Sequence, residues 1–408
     1  MHRFQFASEV LESKDERLQA ALAAAHAGKF RPLCLCRPTG IPMYVARLGD
    51  RYLIKRLPFT ASHHQPECDS FEPPPELSGL GEMSGSAIHE DVESGLTTLK
   101  LDFALSRQGG HQPPVPSTSD DAPVRADGSK LTLRATLHFL WEQAELHRWS
   151  PGMEGKRTWH VVKSRLDAVA RIVYVRHESL AARLFIPEPF SLEREAQILS
   201  RRRERLRGLT PGQGRRELMM VLAEVKAIEA SRYGHKLILK HLPSMPFMVA
   251  DDLHRRLLRR HETELALWRA NESAHLLLLG TFGLDAGGYA CIEEACASVT
   301  TSNWIPVDNR WDFDLVDALT RARRRFVKGL RYNLGPERPL ASAVLTDTPE
   351  PTALYVVPAA GLPEQRAALE DLIESSTLAA WRWEVDQESL PPLPQRLNSA
   401  PALSGVSR

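Results

Sequence analysis

Residues 34–68 read CLCRPTGIPMYVARLGDRYLIKRLPFTASHHQPEC and contain three of the five cysteines in the chain. Two strand-like runs, MYVARL and RYLIKRL, flank the turn pair Gly49-Asp50, a two-residue hairpin signal. The turn stands midway between Cys36 and His64. Folding the hairpin therefore returns its ends to one place, with Cys34 and Cys36 on one arm and His64 and Cys68 on the other. Thiolate and imidazole are the ligands that zinc takes in a closed tetrahedron. The spacing predicts a structural zinc ion (Zn2+) held by Cys34, Cys36, His64 and Cys68, with His63 the alternative to His64. Residues two apart on an extended segment face the same way, which suits Cys34 and Cys36. Pro66 excludes a helix interior between His64 and Cys68 but fits a turn. Four protein ligands leave no open position for water, so a catalytic zinc is not expected here.

Outward from this stretch the chain divides by composition into an expected α+β protein. Residues 1–105 form a zinc-hairpin module with further strands. Its first helix is LQAALAAAHAG, closed by Gly28, and its last strand is TTLKLDFAL. Residues 106–129, rich in Gly, Pro, Ser and Asp, read as a flexible linker. Residues 130–214 are helical, with Leu133, Leu137, Leu140 and Trp141 at helix spacing, then Val161, Val162, Leu166 and Val169. Residues 215–388 repeat an order of two strands and a helix three times, at roughly sixty-residue intervals and with no repeated residues. Strand pairs joined by short turns cannot be parallel neighbours, so a mainly antiparallel sheet with packed helices is expected. Residues 389–408 read as a disordered tail.

The formal charge of +1 excludes a uniformly basic coat, so any nucleic-acid contact must come from local patches. No apolar run reaches the 18 or more residues that span a bilayer, so no membrane partner is expected. The start, MHRFQFASEVLESKDERLQ, has no basic flank followed by an apolar stretch. A cytoplasmic location, with reduced thiols, is expected.

Other candidate sites compete with plainer readings. Arg321, Arg323, Arg324, Arg325, Lys328 and Arg331 read as one basic helix that places cations on phosphates. The plainer reading packs Leu319, Phe326 and Leu330 on the sheet and turns the cations to water or carboxylates. Arg201, Arg202, Arg203, Arg205 and Arg207 form a second run, partly neutralised by Glu193, Glu195 and Glu204, which reads as a surface helix or connector. The helix pair around SPGMEGKR has too long a loop for a simple helix-turn-helix. Glu224 and Lys226, at i and i+2 of one strand and so expected to face the same way, match part of a metal-dependent nuclease site but lack a preceding acidic ligand. No phosphate-binding loop, nucleophile elbow or convincing dinucleotide fingerprint occurs.

The segments RPLCLCRPTGIPMYVAR, HQPEC, DGSKLTLRATLHFLWE, LFIPEPF, RYGHKLILKHLP, DDLHRRL and RRFVKGLRYNL resemble the bacterial family called domain of unknown function 1173, over nearly the full chain. Its H-x-P-x-C pattern falls on His64, Pro66 and Cys68, which favours His64 over His63. The resemblance implies a bacterial protein often found with plasmid or integrative-element genes, and it carries no activity, substrate or catalytic residue. Together these readings predict a non-enzymatic, zinc-stabilised nucleic-acid-binding or adaptor protein, with DNA or a DNA-processing protein as partner. The alternatives are a metal-dependent phosphodiesterase or nuclease and a protein-interaction scaffold.

Overall fold

The expected N-terminal hairpin forms in the computed structural model, which describes residues 2–48, 51–92, 94–107, 128–209, 216–232, 234–358, 362–385 and 389–397. Ile41–Leu48 and Arg51–Arg56 pair antiparallel from Met43↔Arg56 to Leu48↔Arg51. The turn pair Gly49-Asp50 lies outside the described residues. The hairpin is one side of a five-stranded sheet in the order Glu9–Glu12, Arg3–Phe6, Leu33–Cys34, Ile41–Leu48, Arg51–Arg56. Phe4, Phe6, Leu11, Ile41, Met43 and Phe71 bury against Leu22 and Ala25 of the Leu18–Ala27 helix. That helix stops at Gly28, whose N–H donates to the Ala24 carbonyl at 2.8 Å.

The chain is mixed α+β, and its main body centres on a barrel. Five strands take part: Met219–Ser231, Gly234–Leu239, Phe247–Val249, His275–Leu284 and Ala290–Thr300. Residues 225–231 of the first strand pair antiparallel with the second, which pairs with the third. The third meets the fifth in parallel at Met248↔Cys291, and the fifth pairs antiparallel with the fourth. The fourth then returns to residues 219–224 of the first strand, and the ring closes. A β-bulge between Val225 and Ala227 bends the first strand where it changes partners. Bulges sharpen bend and twist in this way. Two helices, Asp251–Arg260 and Glu262–Ala270, sit between the third and fourth strands.

Alternation along the strands explains the sequence pattern. Leu276 and Leu278 point into the barrel core, whereas Leu277 and Leu279 belong to a second core outside it. Both faces of that strand are therefore buried, which is why HLLLLGTFGL reads as an unbroken apolar run. The second core also holds Leu137, Leu140 and Trp141 of the Leu133–Gln143 helix and Val162 and Leu166 of the Trp159–Ile172 helix. Helices from residues 130–214 thus cover one wall of the barrel.

The recurring strand-strand-helix order does not give three equal units. Its first two instances build the barrel, and the third builds a separate five-stranded sheet: Ala379–Glu384, Thr352–Val357, Ala343–Leu345, Phe326–Lys328, Arg148–Trp149. The last of these strands comes from the middle region. Thr97–Leu99 likewise joins residues 173–175 in parallel. The linker expected over 106–129 lies largely outside the described residues, although Ser106–Arg107 pairs with Arg216–Glu217. Residues 398–408 of the expected tail also lie outside them. Residues 389–397 run against the body, where Trp381 Nε1 donates to the Pro392 carbonyl at 3.1 Å and Arg324 Nη1 to the Pro394 carbonyl at 2.7 Å.

The basic helix expected over 321–331 is corrected by the structure. The Arg310–Arg321 helix ends there, Arg323 takes a left-handed backbone at φ +55°, and Phe326–Lys328 is a strand. Phe326 and Val327 suit a buried strand held between two neighbours, and Gly329 follows. A Cβ at Gly329 would lie 1.9 Å from the Ala341 carbonyl oxygen, so only glycine permits this approach.

Candidate metal centre

Each ligand is set by local backbone structure. Cys34 ends the Leu33–Cys34 strand, paired with Phe4 on one side and Ile41 on the other. Cys36 follows in the turn that leads to Gly40, at φ +67°. His64 is the extended residue after the short 3-10 turn Ala61–His63. Cys68 lies in a tight turn in which its N–H donates to the Gln65 carbonyl at 2.8 Å.

These elements bring one atom from each of Cys34, Cys36, His64 and Cys68 within 4.8 Å of one another. Zinc bonds of about 2.3 Å to sulfur and about 2.05 Å to nitrogen give a tetrahedron with edges of about 3.8 Å between sulfurs and about 3.6 Å between sulfur and nitrogen. Cys34 Sγ and Cys68 Sγ are 3.8 Å apart. His64 Nδ1 is 3.3 Å from Cys36 Sγ and 3.6 Å from Cys68 Sγ. The set can hold a metal ion. His64 is fully buried and its Nε2 has no hydrogen-bond partner. Nδ1 is the nitrogen turned toward the sulfurs, so it is the atom that would ligate an ion. His63 lies on the solvent side, with its carbonyl accepting from Arg37 Nε.

Residues far away in sequence surround the cluster. His2 Nδ1 lies 3.8 Å from Cys68 Sγ, and its Nε2 lies 2.9 Å from an Asp69 carboxylate oxygen. The Asp69 bond first, and then Cys68, raise the His2 pKa to about 9. The Ser70 N–H donates to Cys68 Sγ at 3.4 Å. Arg148 clamps the chain that leaves the cluster: its guanidinium donates to the carbonyls of Asp69 at 2.8 Å, Phe71 at 2.5 Å and Cys68 at 3.4 Å. It also pairs with Glu72 at 3.0 Å. Burial alone would push the Glu72 carboxyl up, but His147, Arg148 and Arg56 around it outweigh burial and hold it well below the usual range. The cluster is therefore anchored to the Arg148–Trp149 strand of the body. Neither His2 nor Arg148 stands at ligand spacing, so nothing in the sequence pattern marked them.

The other sequence candidates are placed as follows. Arg321 pairs with Asp317, Arg323 with Glu154 at 2.7 Å, and Arg331 with Asp308 at 3.0 Å. Arg324 takes Asp347 through a fork of bonds of 2.8–3.1 Å, and buried Lys328 pairs with Asp312 at 3.1 Å. Arg325 is exposed, with its backbone N–H donating to Asp347 at 2.9 Å. The expected cationic face is thus largely drawn into intramolecular ion pairs. Glu224 and Lys226 do not share a face, because the bulge between Val225 and Ala227 falls on Lys226 and leaves it exposed while Glu224 is buried. Glu224 instead accepts from Lys240 at 2.5 Å and lies 2.6 Å from His275 Nδ1. Among the described residues, the Cys/His cluster is the one group of three or more metal-ligating side chains near enough to share an ion. Arg157, which closes the SPGMEGKR loop, is partly buried and donates to the Leu146 carbonyl at 2.9 Å.

No match was found among curated proteins or among solved structures. No helix among the described residues is long and apolar enough to cross a membrane. The chain does match a family over residues 4–386, nearly its whole length, and it belongs to the family described as Protein of unknown function (DUF1173).

Proposed function

We propose that this chain is a zinc-stabilised, non-enzymatic nucleic-acid-binding protein whose contact surface is the uncovered face of the 219–300 barrel. Zinc is the metal that a set of three thiolates and one imidazole selects at tetrahedral spacing. Its role is structural, holding the Cys68–Glu72 turn in the shape that Arg148 grips. An adaptor role toward a DNA-processing protein is the alternative.

The barrel's connectivity carries the reading. Strand order 1-2-3-5-4-1, a bulged first strand shared between the second and fourth, and helices between the third and fourth are the plan of the oligonucleotide- and oligosaccharide-binding barrel. Such barrels take single strands on the face of strands two and three and on the loops beside it. That is the fold-level part of the argument. The residues supply the rest. Leu237, Leu239, Phe247 and Val249 are buried, so Lys236, Ile238 and Met248 alternate onto the outer face, where Lys236 and Met248 are cross-strand partners. Tyr289, 63 % exposed, stands on the loop between the fourth and fifth strands, and Lys226 is exposed on the bulge. An exposed ring stacks on bases, apolar side chains support it, and lysines meet phosphates.

The test is binding of labelled single- and double-stranded DNA to the metal-loaded chain across a salt titration, with and without Mg2+. Single-strand binding should weaken steeply with salt, and Tyr289→Ala should weaken it by about tenfold, the value of one stacked base. Absence of binding at low salt would sink the nucleic-acid reading and leave the adaptor. Cleavage that appears only with Mg2+ would overturn the non-enzymatic part.

A further inference from the structure

A cavity of about 380 Å³ opens between the Trp159–Ile172 helix, the Glu195–Leu206 helix and the chain after the second barrel strand. Its lining carries five cations, Lys163, Arg171, Arg201, Arg202 and Arg205, against two carboxylates, Asp167 and Glu188. The two arginine and lysine segments, separate in sequence, are brought together only by the fold.

The carboxylates are already engaged. Asp167 pairs with Lys163, and Glu188 takes the fork of Arg201 at 2.7 and 3.0 Å. Among the described residues no carboxylate pairs with Arg202 or Arg205 in this way: Arg202 Nη2 donates to Ser244 Oγ at 3.0 Å, and Arg205 Nη2 donates to the carbonyls of Ala181 and, at 2.7 Å, Leu184. Burial works against the charge on both; Arg203 adds repulsion to Arg202, and Asp167 offsets part of the cost at Arg205. Half-buried guanidinium groups bonded mainly to neutral oxygens leave positive charge only partly compensated, a state that an anion relieves. The floor is apolar, made by Leu184, Ile186, Ile198 and Leu242.

His241 completes the lining. Its backbone is left-handed at φ +67°, and its ring stacks on Trp159 at 6.1 Å between centroids. Its Nδ1 accepts from the Phe190 N–H at 3.2 Å, which leaves Nε2 as the protonated donor. The result is a cationic rim over an apolar floor with the His241 imidazole at one side, in a volume suited to a small organic ligand.

We propose that this cavity binds a phosphate-bearing ligand of nucleotide size, its phosphate on Arg171, Arg202 and Arg205 and its base or other apolar body on the floor. The inference does not depend on the metal centre or on the open barrel face.

The experiment is a titration of the metal-loaded, full-length chain with adenosine monophosphate, with adenosine, and with a short oligonucleotide carrying either a 5′-phosphate or a 5′-hydroxyl. Intrinsic fluorescence, to which Trp159 contributes, and calorimetry read the binding. Adenosine monophosphate should bind and adenosine should bind at least about tenfold more weakly, the loss of one charge-assisted hydrogen bond. Binding of the 5′-phosphorylated strand in place of the mononucleotide would also support the site and assign its phosphate to a strand end. Arg171→Gln and Arg202→Gln, chosen because neither side chain ties two segments of backbone together, should each weaken binding by about tenfold and shift it to lower salt. Equal affinity for adenosine and its phosphate, unaltered binding in the double variant, or no binding of any phosphorylated probe would each overturn the proposal. The Tyr289→Ala variant should bind adenosine monophosphate as the wild type does, which separates this cavity from the barrel face.

Discussion

Replacing Arg148 with alanine should loosen the metal-bearing module from the body without emptying the metal site. Arg148 and Glu72 side chains are 13 % and 10 % exposed, so their 3.0 Å pair is largely desolvated. Removing one partner of such a pair costs about 3–5 kcal/mol. His147 at 3.1 Å and Arg56 at 3.5 Å still face Glu72 and soften the loss of its partner. The carbonyls of Asp69 and Phe71 lose their donor as well, so about 3 kcal/mol is the appropriate figure. At a urea dependence of about 2 kcal/mol per M, that moves a midpoint by about 1.5 M. All eight tryptophans lie between Trp141 and Trp383, so fluorescence follows the body, and metal release into a chromogenic chelator follows the module. In Arg148→Ala the metal-release midpoint should fall by about 1.5 M, with the metal content in buffer unchanged. Arg148→Lys keeps the charge but not the fork and should recover roughly half of the loss. A metal-release midpoint within about 0.3 M of wild type would refute the anchoring role of Arg148.

Two further outcomes follow from buried groups. His138 is buried with Nδ1 accepting from the Tyr332 N–H at 2.9 Å, and burial lowers its pKa to about 3. The unfolded chain takes a proton near pH 6.5 and the folded one does not, so stability falls as pH drops below about 6.5, by up to about 1.4 kcal/mol per pH unit. His138→Gln should be flatter than wild type by about 2 kcal/mol between pH 6.5 and 5, measured by denaturant titration, and parallel curves would contradict the assignment. Gly329→Ala must place its Cβ against the Ala341 carbonyl oxygen, at 1.9 Å in the present backbone. A stability loss of about 3 kcal/mol or more is expected, and a thermal midpoint unchanged from wild type would show that the strand end yields easily.

The metal cluster was legible because its information is local. A hairpin turn centred between two ligand pairs determines which atoms meet, and the backbone pairing from Met43↔Arg56 to Leu48↔Arg51 brings those pairs together. The barrel was only half legible. Alternating and unbroken apolar runs marked the strands, but closure depends on the bulge between Val225 and Ala227 and on a parallel contact at Met248↔Cys291. Neither leaves a periodic trace. That same bulge undid the shared face expected for Glu224 and Lys226. The 321–331 segment misled for a different reason: Leu319, Phe326 and Leu330 fall at helical spacing, yet the left-handed turn at Arg323 and the narrow approach at Gly329 belong to a strand. Its cations are balanced by Asp308, Asp312 and Asp347, carboxylates that only tertiary structure brings close. The cation-lined cavity is another product of long-range folding, since Lys163 and Arg202 stand on different helices.

We infer that Cys34, Cys36, His64 and Cys68 hold one structural zinc ion. Its most direct measurement is the elemental metal content of the purified full-length chain beside Cys68→Ser, with cobalt substitution to report the ligand field. The wild type should carry about one zinc per chain, give the intense visible bands of a tetrahedral thiolate site with cobalt, and lose both in the variant. A wild type that folds without metal, or a Cys68→Ser chain that keeps its full zinc content, would contradict it.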